Sequence, residues 1–363
     1  MIRRHRAAFI ILFITIFVYV LSWKCQRAVD YYRLHIFPLG TNTLARVLSV
    51  IPFSVGEILI IAAVFFLLIS FIITILKLLF RNKFQKSFHI CRKIFRFICI
   101  WVIVTETFFC FVMYHASTVE ETYFADAEIG EDALVNLYEM LVNKANGLSE
   151  KMQRDTQGNV MYDGDLYAQC KAAMQNLGEE YPYLKGYYPN PKPIANSGFM
   201  SQQYLAGIYF PFTLEANYNQ TMYIMNRPAT ICHELSHLKG VILEDEANYF
   251  GFLACIRSED GFIQYSGYLS VLSYVSREVR KNIPLEVRQE MTEPNTLVQN
   301  DVVFLTDEAW EKVEKEAVIS TETANQVTDT FLESNLKSNG VKNGMESYSQ
   351  VVRLLLKWYE HSN

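Results

Sequence analysis

Most of the long apolar runs lie in the first 116 residues, and they predict membrane-spanning helices. Three runs qualify: residues 7–23, 58–76 and 97–114. A helix that crosses a bilayer needs about 20 apolar residues, with about 17 as the short limit. The first run is borderline in length and follows a basic start typical of a secretion signal. No A-x-A cleavage site follows it, so we expect an uncleaved span.

Lysine and arginine are distributed unevenly around these runs, which predicts the orientation of the chain. Three arginines precede the first span, and the short loop between the second and third spans is rich in basic residues and has no acid. Because loops rich in lysine and arginine stay in the cytoplasm, the N-terminus and that loop are predicted to be cytoplasmic. Three spans then place residues 117–363 in an extracytoplasmic domain of a multi-pass cell-membrane protein.

The remainder of the chain shows shorter patterns, typical of a mostly helical domain. Apolar positions between Ala133 and Leu141 recur at helical spacing, and residues 166–177 and 348–359 also predict helices. The proline-rich segment 187–198 predicts an extended linker within the domain.

A small sheet is predicted before the motif described below. Apolar and polar residues alternate from Gly207 to Leu214, which is strand periodicity. Pro211 makes this an edge strand, because proline cannot donate to a hydrogen-bonded ladder. A second strand is predicted from Thr221 to Met225. The predicted fold is therefore α+β, with three N-terminal membrane helices followed by a mostly helical domain with a small sheet.

Composition and charge narrow the expected partners. The net charge of −5, and a domain after residue 116 that is acidic and lacks a basic face, argue against nucleic-acid binding. The lipid bilayer is the expected partner of the N-terminal region. Of the seven cysteines, only Cys170, Cys232 and Cys255 lie in the later domain, which is too few for a disulfide framework.

The candidate chemistry lies in HELSH, residues 233–237, on a predicted helix. His233 and His237 are four positions apart, so both imidazoles can face one metal ion, and two neutral imidazoles suit Zn²⁺. Glu234 is rotated by about 100° from His233, which places its carboxylate beside the ion, where it can take a proton from water. Gly240 can end the helix with a left-handed turn.

A third ligand is expected soon after this turn, since catalytic zinc usually has three protein ligands. Glu244 is the preferred candidate, and Glu246 is the alternative. Asn248 is four positions after Glu244, so it shares a helix face with Glu244 and could hydrogen-bond a metal ligand.

HELSH followed by EDEAN resembles the gluzincin metallopeptidases, and EDEANYFGF is similar to the ligand helix of membrane zinc proteases of the CAAX-processing and mitochondrial quality-control type. The resemblance implies that His233, His237 and Glu244 bind zinc and that Glu234 is the general base. Asn248 stands where those families have Asp, and the two helices are closer in sequence here. With its hydrophobic spans, the chain more closely resembles a bacterial membrane-protein family of unknown function with a zincin-like motif.

Zincin-like folds hold an edge strand above the metal helix, and residues 207–214 suit that position, where a substrate peptide could pair with them. Tyr265 and Tyr268 are candidate donors to the oxyanion. The function predicted from the sequence is a membrane-anchored zinc metallopeptidase acting on a peptide or protein substrate. One alternative is a non-catalytic zinc-binding membrane protein, such as a sensor or assembly factor. Another is an interaction protein whose histidines belong to the core.

Overall fold

A computed structural model describes residues 6–80, 83–326 and 348–362. The chain is mostly helical with one three-stranded sheet, as the sequence predicts at this coarse level. Its internal contacts separate two units, which are described in turn. The first, here called the membrane unit, comprises residues 1–116 and the short segment Phe210–Glu215. The second, here called the site unit, comprises residues 117–209 and 216–363.

The membrane unit contains the apolar helices. They are α1 (Arg6–Ser22), α2 (Gln26–His35), α3 (Phe37–Gly40), a π-helical turn (Thr41–Ala45), α4 (Arg46–Leu48), α5 (Val55–Leu79), α6 (Gln85–Phe109) and a 3-10 turn (Phe111–His115). By length and composition, α5 and residues 85–115 could each cross a membrane. Residues 6–22 and 26–48 reach that length only as a pair bent by 117°. The described residues therefore contain two helices of spanning length, or three if the bent pair is one span.

The backbone N–H groups in the first turn of α5 are hydrogen-bonded within the membrane unit. Ser54 accepts a hydrogen bond from the backbone N–H of Glu57, at 3.1 Å. The Glu215 carboxylate accepts from the backbone N–H groups of Val55 (3.1 Å) and Gly56 (2.7 Å). A carboxylate at this position pairs with donors that a helix leaves unbonded and interacts favourably with the helix dipole. A Cβ at Gly56 would lie 2.2 Å from the Phe210 ring, so this contact requires glycine.

The site unit is built mainly from helices. They are α7 (Val119–Tyr123), α8 (Ala133–Ser149), α9 (Leu166–Leu177), α10 (Ser197–Gln202), α11 (Arg227–His237), α12 (Glu244–Ile256), α13 (Gly261–Asn282), α14 (Leu285–Arg288), α15 (Thr296–Asp301), α16 (Asp307–Glu316) and a C-terminal helix (Tyr348–Ser362), with 3-10 turns at Pro182–Leu184 and Ile224–Asn226. The helices predicted from periodicity at 133–141, 166–177 and 348–359 are confirmed.

The sheet has three short strands in the order β1-β3-β2, so β2 is an edge strand. They are β1 (Lys192–Ile194), β2 (Gly207–Phe210) and β3 (Glu215–Asn219), with β1 parallel to β3 and Lys192 opposite Asn217. The predicted edge strand is confirmed, but it ends at Phe210, just before the proline at 211.

Two local predictions are wrong. The segment 187–198 is not only a linker, because it contains β1 and the first residues of α10. Residues Thr221–Met225 do not form a strand. The Asn219 side chain accepts from the backbone N–H of Thr221, at 2.9 Å, and this local bond favours a turn over continued strand.

The core of the site unit centres on α12, which packs against α9, α11, α13 and the C-terminal helix. Residues of α12 from Glu246 to Cys255 are buried, apart from Asn248, which is partly exposed. A Cβ at Gly251 would lie 2.9 Å from the carbonyl oxygen of Ala229 on α11, so glycine permits this close helix approach.

A buried ion pair lies in the same unit. The Asp301 side chain is 1% exposed and accepts two hydrogen bonds from the Arg154 guanidinium, at 3.0 and 2.6 Å. It also accepts from the hydroxyls of Tyr265 (2.8 Å) and Tyr223 (3.1 Å). Four donors thus satisfy one buried carboxylate, and its removal would leave the Arg154 charge without its partner.

We expect Asp301→Ala to lower the free energy of unfolding by about 3–5 kcal/mol, because the largely covered Arg154 charge and two tyrosine hydroxyls lose their acceptor. The matched control is Arg257→Ala, which removes an exposed ion pair with Glu180 of the same 2.6 Å length. That change should cost under about 1 kcal/mol. Denaturant unfolding of the purified full chain in detergent measures both values. Equal losses in the two variants would contradict the role given to the Asp301 cluster.

Candidate metal centre

The turn between α11 and α12 positions the candidate ligands. Helix α11 begins with a proline in its first turn and ends at His237. Gly240 has a φ of +76°, the left-handed conformation that glycine adopts without strain. The chain reverses there, and α12 begins at Glu244. The predicted glycine turn is confirmed, and it brings the acids of α12 back towards α11.

The two histidines of HELSH face one carboxylate. Their ring centroids are 4.8 Å apart, and the ring planes are nearly perpendicular. The Nε2 atom of His233 lies 3.2 Å from Oε2 of Glu244, and the Nε2 atom of His237 lies 3.9 Å from Oε1 of the same residue. Two ring nitrogens and a carboxylate therefore converge on one point.

The opposite ring nitrogens are bonded within the protein. His237 Nδ1 lies 2.6 Å from the Val241 carbonyl oxygen, which can only accept, so this nitrogen carries the hydrogen. His233 Nδ1 lies 2.9 Å from the Asn248 amide oxygen. Bonds of this kind fix the ring orientation of metal-binding histidines and direct Nε2, which binds the ion when it carries no proton, towards the site. Asn248 thus contacts a candidate ligand, and its role in orienting a metal-bound histidine stays a prediction.

Glu234 is beside this point and is 4% exposed. One ligand atom from each of His233, Glu234 and His237 lies within 4.8 Å of the others. The Oε2 atom of Glu234 is buried and has no hydrogen-bond partner among the residues that the structure describes. On its other side, a Cβ at Gly207 of β2 would lie 2.3 Å from Oε1 of Glu234. The edge strand therefore passes directly against this carboxylate at a glycine.

The two candidate third ligands occupy different surroundings. The side chain of Glu244 is 49% exposed and faces the histidines. Glu246 is buried, and its carboxylate accepts a short hydrogen bond from the backbone N–H of Val119 on α7. The geometry favours Glu244 as the third ligand, because Glu246 is directed towards α7.

The two tyrosines predicted as oxyanion donors lie elsewhere. The Tyr265 hydroxyl donates to Asp301, and the Tyr268 ring is buried against Phe252. A residue that the prediction missed is Tyr209, whose ring centroid lies 5.6 Å from that of His237. Strand periodicity could have indicated it, since Tyr209 is two positions after Gly207 and so shares its face of β2.

Comparison with known proteins assigns the chain to a family. A family model described as a protein of unknown function (DUF3810) matches residues 31–356. The chain belongs to this family. The matched region of this DUF3810 protein includes the apolar helices α5 and α6, the sheet, and both helices of the metal centre. A search of curated proteins found no match, and neither did a search of solved structures.

In this DUF3810 site, the opposite charges of His233 and Glu244 offset the cost of burying each of them. Burial lowers the pKa of His233, but the hydrogen bond and charge of Glu244 outweigh burial and raise it to about 9. Partial loss of solvent raises the pKa of Glu244, but the hydrogen bond and charge of His233 lower it to about 2. Without a metal ion, these two residues form an ion pair. A cation that displaces the His233 proton would take over its role towards Glu244.

Burial is the main influence on the pKa values of His237 and Glu234. It lowers the pKa of His237 to about 4, so this imidazole is neutral at pH 7 and ready to coordinate a metal. It raises the pKa of Glu234 to about 8, so this carboxyl holds a proton near neutral pH in the absence of a cation. Two imidazole nitrogens, a half-exposed carboxylate and a buried carboxyl oxygen without a partner fit a divalent metal ion.

We expect His233 to titrate near pH 9 in the metal-free protein. Because the pKa in the folded state is raised, the ion pair with Glu244 stabilises the fold fully below the ordinary histidine pKa of about 6.5. That stabilisation is lost as the pH rises through about 9. Nuclear magnetic resonance of the full chain with isotope-labelled histidine measures the value.

The Glu244→Gln variant removes the negative charge and should lower the pKa of His233. Glu259→Gln, which changes an exposed acid, is the control and should leave it unchanged. A wild-type His233 that titrates at or below pH 6.5 would contradict the ion pair.

Proposed function

We propose that this protein is a membrane-anchored zinc metallopeptidase with a gluzincin-type site. The observation that supports this most directly is the convergence of three donors: Nε2 of His233, Nε2 of His237 and the carboxylate of Glu244. Two histidines and one glutamate form a typical ligand set for catalytic zinc, which keeps its fourth position open for water or substrate. The half-exposed Glu244 is consistent with a site that solvent and substrate can reach.

Bound zinc would act as a Lewis acid that polarises the carbonyl group of the scissile peptide bond. Glu234 is the general base, because its carboxylate is beside the ligands. Its Oε2 atom accepts no hydrogen bond from the residues that the structure describes. It takes a proton from the attacking water and then delivers that proton to the leaving amine. A proton carrier of this kind works best when its pKa is near the working pH, and burial shifts the pKa of Glu234 in that direction.

Asn248 and the Val241 carbonyl hold the two imidazoles in orientation. The amide of Asn248 takes the place of the carboxylate in the resembled families. It fixes the ring of His233 without adding a negative charge, so the total charge of the ligand shell is one unit less negative than it would be with Asp. The orienting role is therefore kept, and the basicity of the ligand is lower.

The substrate is a peptide or protein in extended form. Strand β2 is at the edge of the sheet, and its Gly207 contacts Glu234, so a chain that pairs with β2 would pass close to the general base. Tyr209 on the same strand face, next to His237, could contact the substrate near the scissile bond. The extracytoplasmic position of the site, inferred from the basic residues around the apolar runs, is part of this proposal.

Hydrolysis is tested with zinc-loaded full chain in detergent and a mixed peptide library, with products identified by mass spectrometry. Glu234→Gln should lower the cleavage rate by about 10²–10⁴-fold, the usual contribution of general acid–base catalysis, and should still bind zinc. The exposed Glu259→Gln variant should cleave at the wild-type rate. Full activity in Glu234→Gln would contradict the assignment of the general base.

A second measurement does not depend on the identity of the substrate. A peptide hydroxamate, which coordinates zinc through an open position, should bind the zinc-loaded wild type and not His233→Ala. Calorimetric titration measures both. Zinc binding without hydroxamate binding would indicate a closed coordination shell and favour a non-catalytic zinc-binding membrane protein.

A further inference from the structure

The first three turns of α6 carry a face of basic side chains. Lys86, His89, Arg92, Lys93 and Arg96 are spaced so that, at 100° per residue, they fall within an arc of about 120°. All five side chains are exposed. At 1.5 Å per residue, they cover about 15 Å of the helix. These five residues are called the basic stripe below.

Exposed apolar side chains lie beside the basic stripe on this part of the helix. Ile90, Ile94, Phe95 and Phe97 are each exposed by 43% or more. After Arg96 the helix continues as an apolar segment of spanning character. A helix section with a basic face next to exposed apolar side chains suits the boundary between lipid headgroups and acyl chains.

The basic stripe lies in a part of the sequence that contains no acidic residues. There is no Asp or Glu between Glu57 and Glu106, a stretch that includes most of both α5 and α6. A further cation lies at the same end of this helix pair, because Lys77 of α5 places its Nζ 3.6 Å from the centroid of the Phe88 ring on α6. The positive charge is therefore concentrated at one end of the two helices.

We propose that the basic stripe binds the phosphate groups of anionic phospholipids. Guanidinium groups such as those of Arg92 and Arg96 can bind a phosphate through two parallel hydrogen bonds, and the lysines add point charges. The exposed isoleucines and phenylalanines on the adjacent face favour a lipid over a nucleic acid, because they would meet acyl chains in a membrane. This inference does not depend on the proposed peptidase activity.

The test is native mass spectrometry of the full chain, released from detergent with equal amounts of palmitoyl-oleoyl phosphatidylglycerol and phosphatidylcholine. Only the headgroup differs between these lipids. The wild type should retain phosphatidylglycerol preferentially, and raised salt should weaken the preference. In the triple variant Arg92→Gln/Lys93→Gln/Arg96→Gln, the ratio of retained phosphatidylglycerol to phosphatidylcholine should fall at least about tenfold. Each Lys or Arg near an anionic surface raises the binding constant roughly fivefold.

Two controls test whether the effect comes from the charge of the basic stripe. One removes charge elsewhere in the chain, and the other keeps the charge of the stripe and checks the folding of the variant. Lys151→Gln/Lys312→Gln/Lys315→Gln removes three exposed charges from the site unit and should keep the wild-type preference. Arg92→Lys/Arg96→Lys keeps the charge and should retain most of the preference, with unchanged helix content by circular dichroism.

Three results would overturn the proposal. They are equal retention of the two lipids by the wild type, an unchanged preference in the triple glutamine variant, and an equal loss in the control triple variant. Binding of a soluble acidic polymer without any preference for phosphatidylglycerol would point to a different partner.

Discussion

The close contact between α11 and α12 is the constraint on which the candidate site depends. At Gly251 the backbone of α12 approaches the Ala229 carbonyl on α11 so closely that no side chain fits between them. The left-handed turn at Gly240 lets the chain reverse directly into this contact. As a result, Glu244 and Asn248 on one helix meet the opposite nitrogens of histidines on the other. Two glycines thus determine how three candidate ligands and Asn248 come together.

The electrostatics of the site follow from this packing. Burial alone would keep both imidazoles neutral, yet the carboxylate of Glu244 holds a proton on His233 in the metal-free protein. The positive charge that Glu244 requires is supplied by this proton or by a metal ion.

The sequence predicted those features that are local. Helical spacing indicated the facing histidines, the glycine indicated the turn, and alternation indicated the edge strand. It could not separate Glu244 from Glu246, because that choice depends on Val119, which is 127 positions away and bonds to Glu246. The sequence does not show that Tyr265 bonds Asp301 for the same reason, because Asp301 is on a helix distant in sequence. The grouping of residues 210–215 with the membrane unit likewise has no local signal.

The zinc content of the purified full chain, measured by elemental analysis, tests most directly whether α11 and α12 form a zinc site. We expect one zinc per chain in the wild type and in Glu246→Ala, and none in His233→Ala or Glu244→Ala. Folded wild type that binds no zinc would contradict this expectation. So would a Glu244→Ala variant that retains its zinc, because the distances from Glu244 to both histidines favour it as the third ligand.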